Sequence, residues 1–396
     1  MDRKDFINSP TGKLVQTRIH LTPYWAFVPT KLPPEIKPSW KLTGLISEAD
    51  RAISELAGVG RTIPDPAILI EPFMRREAVL SSRIEGTHTG LEELLSFESG
   101  HQISGFPRSN LSLLENQEVL NYVTALKIGI EWIKNKPLNL NLLKEMNKIL
   151  LSGVRGDESK PGEFRDVQNF IGRTNDPADA VFIPPPIEDL SECLKEFENY
   201  LIFGNSYPPL IRLGLIHYQF ETIHPFIDGN GRVGRLLIVL LLAAWGLLPS
   251  PLLYLSAYFE QHREDYYQEL LNVSKLGSWE QWLIFFLNAV IAQSKDAVKR
   301  SSGLIDLREK WRKQLNENKA SSNYYTIVDS LFKKPYISVS DIEKLLGVTN
   351  RAARVMVVRL QKFGILDLVK EKKYGRVYEA QGIIQILQSI YSPAKS

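Results

Sequence analysis

Apolar residues recur at helical spacing along most of this chain. Leu42, Leu45, Ile46, Ala49, Ile53 and Leu56 predict a helix over residues 41–58. Pro72 is suited to a first helical turn and predicts a second helix over 72–85, closed by Gly86. Further amphipathic patterns cover 111–133, 138–150, 188–202, 209–222, 231–245, 264–274 and 279–299. Extended structure is expected in one place, between residues 167 and 186. There 167–171 and 180–183 flank a polar turn, the pattern of a small β-hairpin, and Pro184-Pro185-Pro186 ends it for want of N–H donors. The first forty residues are proline-rich, show no sustained period, and are expected to wrap the surface in extended form. The fold class is therefore mainly α.

Residues 310–322 are polar and read as a linker or as an extension of the preceding helix. A compact pattern follows. It has helices over 324–332, 341–346 (with Ser340 and Glu343 as a capping box) and 351–363 (capped by Thr349 or Asn350). Strands at 365–369 and 376–378 then flank Lys372-Lys373-Tyr374-Gly375. Three helices and a basic hairpin form the layout of a winged helix-turn-helix, whose third helix would offer Arg351, Arg354 and Arg359 to a groove.

Composition adds limits. A chain of 396 residues suggests two or three domains. The apolar run 236–248 stops at Pro249, short of the roughly 20 residues a membrane span needs, so a buried helix is expected and no membrane partner. Cys193 is the sole cysteine, and the charged N-terminus leads into no apolar stretch; a cytoplasmic location is expected. The net charge of +3 is uneven: residues 299–376 hold 18 Lys and Arg against 8 Asp and Glu, and the remainder 30 against 37. A basic C-terminal unit suits either an anionic partner such as DNA or a solvated surface.

The chemistry concentrates in residues 224–235, His-Pro-Phe-Ile-Asp-Gly-Asn-Gly-Arg-Val-Gly-Arg. His224 is able to take a proton at neutral pH. Asp228 supplies the single carboxylate with which Mg²⁺ is often held beside substrate phosphates. Gly229-Asn230-Gly231 opens a helix whose free N–H groups favour an anion, and Arg232 and Arg235 can fork onto phosphate oxygens. The embedded G-x-G-x-x-G is a decoy for a dinucleotide fold: a helix precedes it, and Tyr254 stands where an acid is required.

This segment matches the signature of the Fic family, His-Pro-Phe-x-Asp-Gly-Asn-Gly-Arg-x-x-Arg, at every position, and the chain resembles that family over most of residues 40–300. The resemblance implies a Fic-type helical domain with a β-hairpin flap, and transfer of AMP from ATP to a Ser, Thr or Tyr hydroxyl of a target protein, itself included. It makes His224 the catalytic base and Asp228 the ligand of Mg²⁺. Gly229, Asn230 and Gly231 would cradle phosphates beside Arg232, with Val233 and Gly234 in the same nucleotide-binding turn, and Arg235 would take the γ-phosphate. Val181, Phe182 and Ile183 resemble the flap edge that aligns nucleotide and target. Tyr266 and Tyr267 resemble a pair lining an adenine pocket, though core packing explains them nearly as well. Gly231 stands where the kinase-like branch has lysine, which favours adenylyl transfer.

Ser81-Ser82-Arg83-Ile84-Glu85-Gly86 resembles the family's inhibitory motif. Glu85, with Ser81 one turn before it, would occupy the γ-phosphate position on Arg235, and Glu85→Gly would release activity. The implied domains are an N-terminal region carrying the inhibitory helix (1–125), a catalytic core (126–300), a linker (301–322) and a winged-helix domain (323–396). Removal of AMP by the same residues and a DNA-binding regulator with a Fic sensor domain are the competing readings. Homodimer formation is left open.

Overall fold

The computed structural model describes residues 1–19, 22–62, 65–100, 109–154, 159–172, 176–369 and 376–389. It is mainly helical, with small antiparallel sheets. Helix α1 (Trp40–Thr62) lies along α11 (Trp279–Glu317). Within the body, α2 (Ala67–Ile84), α4 (Asn110–Ile133), α5 (Leu140–Leu151), α7 (Pro209–Ile223) and α8 (Asn230–Ala244) pack around one another. The apolar run of α8 is buried on every side from Leu236 to Leu242, as expected for a central core helix. Among the described residues no helix is long and apolar enough to cross a membrane.

Several elements depart from the sequence expectations. The proline-rich N-terminus forms a hairpin, β1 (Gly12–Ile19) with β2 (Thr22–Pro29), in register from Gly12 opposite Pro29 to Ile19 opposite Thr22. Helix α2 starts five residues before Pro72, because the Asp65 carboxylate accepts from the Ala67 amide at 3.1 Å and initiates it there. Pro72 sits in the second turn, and the rest of the helix tolerates its missing N–H. Helices α3 (Leu91–Glu98) and α9 (Ser256–Gln261) were not anticipated. The flap hairpin is short: β3 (Ile171–Gly172) pairs with β4 (Ala180–Phe182), and its turn at 173–175 lies outside the described residues. Helices α6 (Ile187–Phe203) and α10 (Arg263–Leu276) agree with the pattern.

Residues 301–317 continue α11 without a break, so the alternative of a helix extension holds over 310–317 and the linker assigned to 301–322 does not begin before residue 318; Leu304, Trp311 and Leu315 form a buried stripe beneath the charged surface. The C-terminal unit then runs α12 (Ser322–Lys333), β5 (Tyr336–Ser338), α13 (Val339–Leu346), α14 (Asn350–Lys362), β6 (Asp367–Leu368), β7 (Val377–Glu379) and α15 (Gln381–Gln388). Its sheet order is β5-β7-β6. Ser338 and Asp341, not Ser340 and Glu343, make the capping box of α13, because β5 delivers Ser338 to the Ncap position. Thr349 caps α14, accepting from Ala352 N. The basic turn at 372–375 lies outside the described residues. Arg351 and Arg354 are exposed, whereas Arg359 turns back to donate to Asn318 O, its guanidinium over the rings of Tyr324 and Phe363.

The C-terminal unit packs on the body through α12 and α15, both of which touch α2. Beneath this contact Arg300 donates to Asp296 at 2.7 Å and to the Leu387 carbonyl at the end of α15 at 3.0 Å. Asp296 also pairs with Arg76 of α2 at 3.4 Å. One buried ion network therefore joins α2, α11 and α15.

Candidate active site

The site is built where α7 ends and α8 begins. His224 closes α7 in the left-handed region (φ 50°, ψ 62°), its amide donating to Phe220 O at 3.0 Å. A non-glycine residue holds that conformation only when its surroundings fix it. Here the Asn230 side chain bonds the backbone of Phe226 twice, accepting from N and donating to O, each at 2.8 Å. Asn147 of α5 donates to Asp228 O at 2.8 Å. Gly229 (φ 83°) then turns the chain into α8, whose first amides lack intrahelical acceptors.

The His224 ring is held through Nδ1, 3.2 Å from Glu221 O. A carbonyl only accepts, so Nδ1 carries the proton and Nε2 keeps its lone pair. Burial pushes the histidine down to about 4, and the nearby Arg165 charge assists, so the ring is neutral at pH 7. Asp228 is half exposed and accepts from Gly229 N at 2.6 Å and from Arg232 at 3.4 Å. Arg232 is buried between Asp228 and Glu118 of α4. Arg235 is buried too. It donates to the hydroxyl and carbonyl of Ser81 at 2.8 and 3.0 Å and to Glu85 Oε1 at 2.6 Å.

Burial opposes the Glu85 charge, but Arg235 outweighs it and holds the carboxyl below its ordinary range. Close approach of the two depends on Gly231, where a Cβ would stand 2.3 Å from Glu85 Oε1. The carboxyl of Glu221 lies on the other side, 2.2 Å from where a Cβ of Gly234 would be. Burial pushes Glu221 up to about 8.

The Fic/DOC family N-terminal domain matches residues 43–131, and the Fic/DOC family domain matches 137–242, the stretch that contains this loop and helix. Residues 43–242 thus carry the two domains of the Fic/DOC family. A protein adenylyltransferase Fic of Drosophila grimshawi is 33% identical over 162 residues, covering 40% of this chain and 30% of that protein. That of Culex quinquefasciatus is 34% identical over 178 residues, covering 44% and 32%. The chain thus spans about a third of the length of these curated relatives. The crystal structure of a Fic family protein from Desulfovibrio desulfuricans G20 shares the fold, with a TM-score of 0.56 at 20% identity over 88% of this chain and 98% of that one.

Within the Fic domain, His224, Asp228, the α8 N-terminus, Arg232 and Arg235 converge, and Ser81 and Glu85 reach them from α2. The remaining expected residues differ in what their side chains meet, and Tyr266 and Tyr267 both stand within electrostatic reach of Arg235 and Glu85. Tyr266 is core: its hydroxyl meets His217 Nε2 at 2.8 Å and its ring stacks on Phe259. Its neighbour Tyr267 faces outward beside Arg263, since adjacent helical residues point about 100° apart. Strand alternation divides the flap edge in the same way: Val181 is 44% exposed, while Phe182 packs on Phe6 and Phe27. Ile183 is buried against Ala26 in a cluster with Ile19 and Ala180. Val233 is wholly buried, and Gly234 offers its carbonyl to His217. The Asn230 side chain is spent on the loop itself, leaving its amide for an anion.

Sequence reasoning missed Asn147, Glu118 and Arg165, which act across space and carry no local signal, and Glu221, which lies one turn before His224. Among the described residues no group of three or more His, Cys, Asp or Glu side chains is placed to hold a metal alone. The lone carboxylate of Asp228 beside an anion-binding helix end fits Mg²⁺ carried in with phosphates.

Proposed function

We propose that this chain transfers AMP from ATP to a Ser, Thr or Tyr hydroxyl of a protein. The carrying observation is His224, neutral, held through Nδ1, with Nε2 available beside a helix N-terminus and two buried arginines. The target hydroxyl gives its proton to Nε2 as its oxygen attacks the α-phosphorus. The bond from that phosphorus to the bridging oxygen breaks, and pyrophosphate leaves. The amides opening α8 hold the phosphates, with Arg232 beside them and Arg235 on the γ-phosphate. Mg²⁺ held by Asp228 would neutralise charge on the α- and β-phosphates. Val181 of the flap is the residue free to meet the target segment.

In the same reading, Glu85 is a brake: it takes the Arg235 donors that the γ-phosphate needs. The test follows label from ATP carrying ³²P at the α-phosphate into protein, in Glu85→Gly with and without His224→Ala. Loss of His224 should lower transfer at least about a hundredfold. Unchanged transfer would remove it as the base. Release of AMP from a purified modified target would instead favour the reverse reaction.

The C-terminal unit supports a second reading, a winged-helix fold that binds DNA, because α14 exposes Arg351 and Arg354 together on a basic unit. Phosphate-driven binding falls steeply with salt. No binding to duplex DNA at low salt would retire it.

A further inference from the structure

We infer that Arg165 is a positioning residue that locks the flap and the catalytic loop into one register. The inference rests on the proposed transfer reaction. Arg165 lies on the segment entering β3 and is 2% exposed. Its guanidinium donates to carbonyls of two separate segments: His224 O at 3.0 Å and Ile223 O at 3.5 Å on the catalytic loop, and Pro185 O at 2.6 Å at the base of the flap. Its own amide donates to Pro225 O at 2.9 Å. Two neighbours repeat the pattern. Gln168 donates to Pro184 O at 3.1 Å, and Asn169 donates to Phe226 O at 3.0 Å and His224 O at 3.5 Å. One short segment therefore staples residues 184–185 to residues 223–226.

The choice of arginine is costly. Among the described residues Arg165 forms no ion pair, its Nη1 has no hydrogen-bond partner, and burial pushes it down to about 10. Neutral amides already make carbonyl contacts of this kind from Gln168 and Asn169. What arginine adds is a planar fork wide enough to bridge the carbonyls of His224 and Pro185 at once. That bridge couples the element expected to align the target with the residue expected to take its proton. The geometry matters because misplacement by about 1 Å can cost on the order of a hundredfold in rate.

Arg165 touches no residue assigned to the nucleotide's phosphates. Its loss should therefore lower kcat and leave ATP binding intact. The experiment compares Arg165→Ala and Arg165→Lys, each in the Glu85→Gly background, for labelling rate, ATP affinity by calorimetry, and hydrogen exchange. Arg165→Ala is expected to lower kcat roughly 30- to 100-fold with the ATP Kd within about twofold. Arg165→Lys keeps the charge but lacks the fork, and should recover only a minor part. ATP affinity falling in step with kcat, or full activity in Arg165→Lys, would overturn the inference.

If Arg165→Ala does not fold, Arg165→Lys carries the same readouts. Hydrogen exchange supplies a check independent of chemistry. Amides of 180–183 and those of 223, 224 and 226–229 should accelerate together in Arg165→Lys, and acceleration of one segment alone refutes the coupling. The Glu85→Gly parent and its His224→Ala derivative report separately on the reaction. Absence of His224-dependent labelling there counts against the proposed function, and exchange still decides the role of Arg165.

Discussion

Removing the Glu85 carboxylate should uncover a site that the rest of the chain already builds. The perturbation is local. Glu85 caps the end of α2, its carboxylate is 34% exposed, and its contact is the 2.6 Å bond to Arg235. A charge-assisted hydrogen bond contributes about 1.5–3 kcal/mol, and solvent screening at this exposure brings it to about 1–2 kcal/mol. In the proposed reading a γ-phosphate would displace that interaction, so Glu85→Gly should tighten ATP binding roughly 5- to 30-fold. ADP has no group to compete for Arg235, so its affinity should change less than about twofold. Calorimetric titration of both nucleotides into both proteins measures this, and labelling from α-³²P ATP gives the rate. If ATP binds the wild type with its α-phosphate displaced by about 1 Å, the rate should rise by about a further hundredfold. Equal gains for ATP and ADP would mean that Glu85 acts other than by competing for the γ-phosphate site. Equal labelling by both proteins would remove the brake altogether.

Three further outcomes follow from the same contacts. Gly231→Ala places a methyl 2.3 Å from Glu85 Oε1 and should cost about 1–2 kcal/mol in urea unfolding of the wild type. In Glu85→Gly the larger part of that cost should go, leaving the milder 2.9 Å approach to Arg235 Nη1, and an equal loss in both backgrounds would show that Glu85 is not the group the methyl meets first. Glu221→Gln should gain stability on the wild type as pH rises. The native carboxyl is raised to about 8 from 4.5, so stability is full below the unfolded value and is lost as pH climbs through that window, a loss the amide cannot suffer. Parallel curves of urea midpoint against pH for the two proteins would refute it. Arg300→Met should cost about 3 kcal/mol, because it strips Asp296 of one partner and uncaps the carbonyl end of α15. Hydrogen exchange should then show α15 opening before the body, and an unchanged unfolding midpoint would show that the network contributes little.

The sequence was most legible where structure is local. The body helices followed their periodic apolar residues, and the loop from His224 to Arg235 lies within twelve consecutive positions. It failed where neighbours in space decide. Prolines at 23 and 29 hid β2, although the strand accommodates both in its pairing with β1. Charge along 301–317 left linker and helix extension undecided, because only three buried apolar positions anchor the helix there. Tyr266 and Tyr267, and likewise Val181 and Phe182, were grouped by family resemblance, yet helix and strand geometry sends adjacent side chains to different sides. Arg165 and Glu118 reach the site from 59 residues and more away along the chain, and nothing at their own positions announces it.

The magnitudes also bear on how a brake of this kind can be released. Glu77, Ser81 and Glu85 lie on one face of α2, and Arg235 lies beside them. The opposite side carries Arg76 into the network with Asp296 and Arg300. Moving the whole helix would expose Ile68, Leu69, Phe73, Met74, Val79 and Ile84, all buried, at a cost on the order of 10 kcal/mol. It would also leave Asp296 and Glu77 short of partners. Rotating Glu85 alone costs about 1–2 kcal/mol. Glu85 is the C-cap residue just past Ile84, followed by Gly86 at φ 97°, so its side chain can swing without disturbing the turn behind it. Ser81 keeps its two bonds to Arg235 throughout and holds the guanidinium in place for a phosphate. The energetic asymmetry therefore favours a side-chain switch on a fixed helix, one that under the proposed reading ATP itself would throw at sufficient concentration.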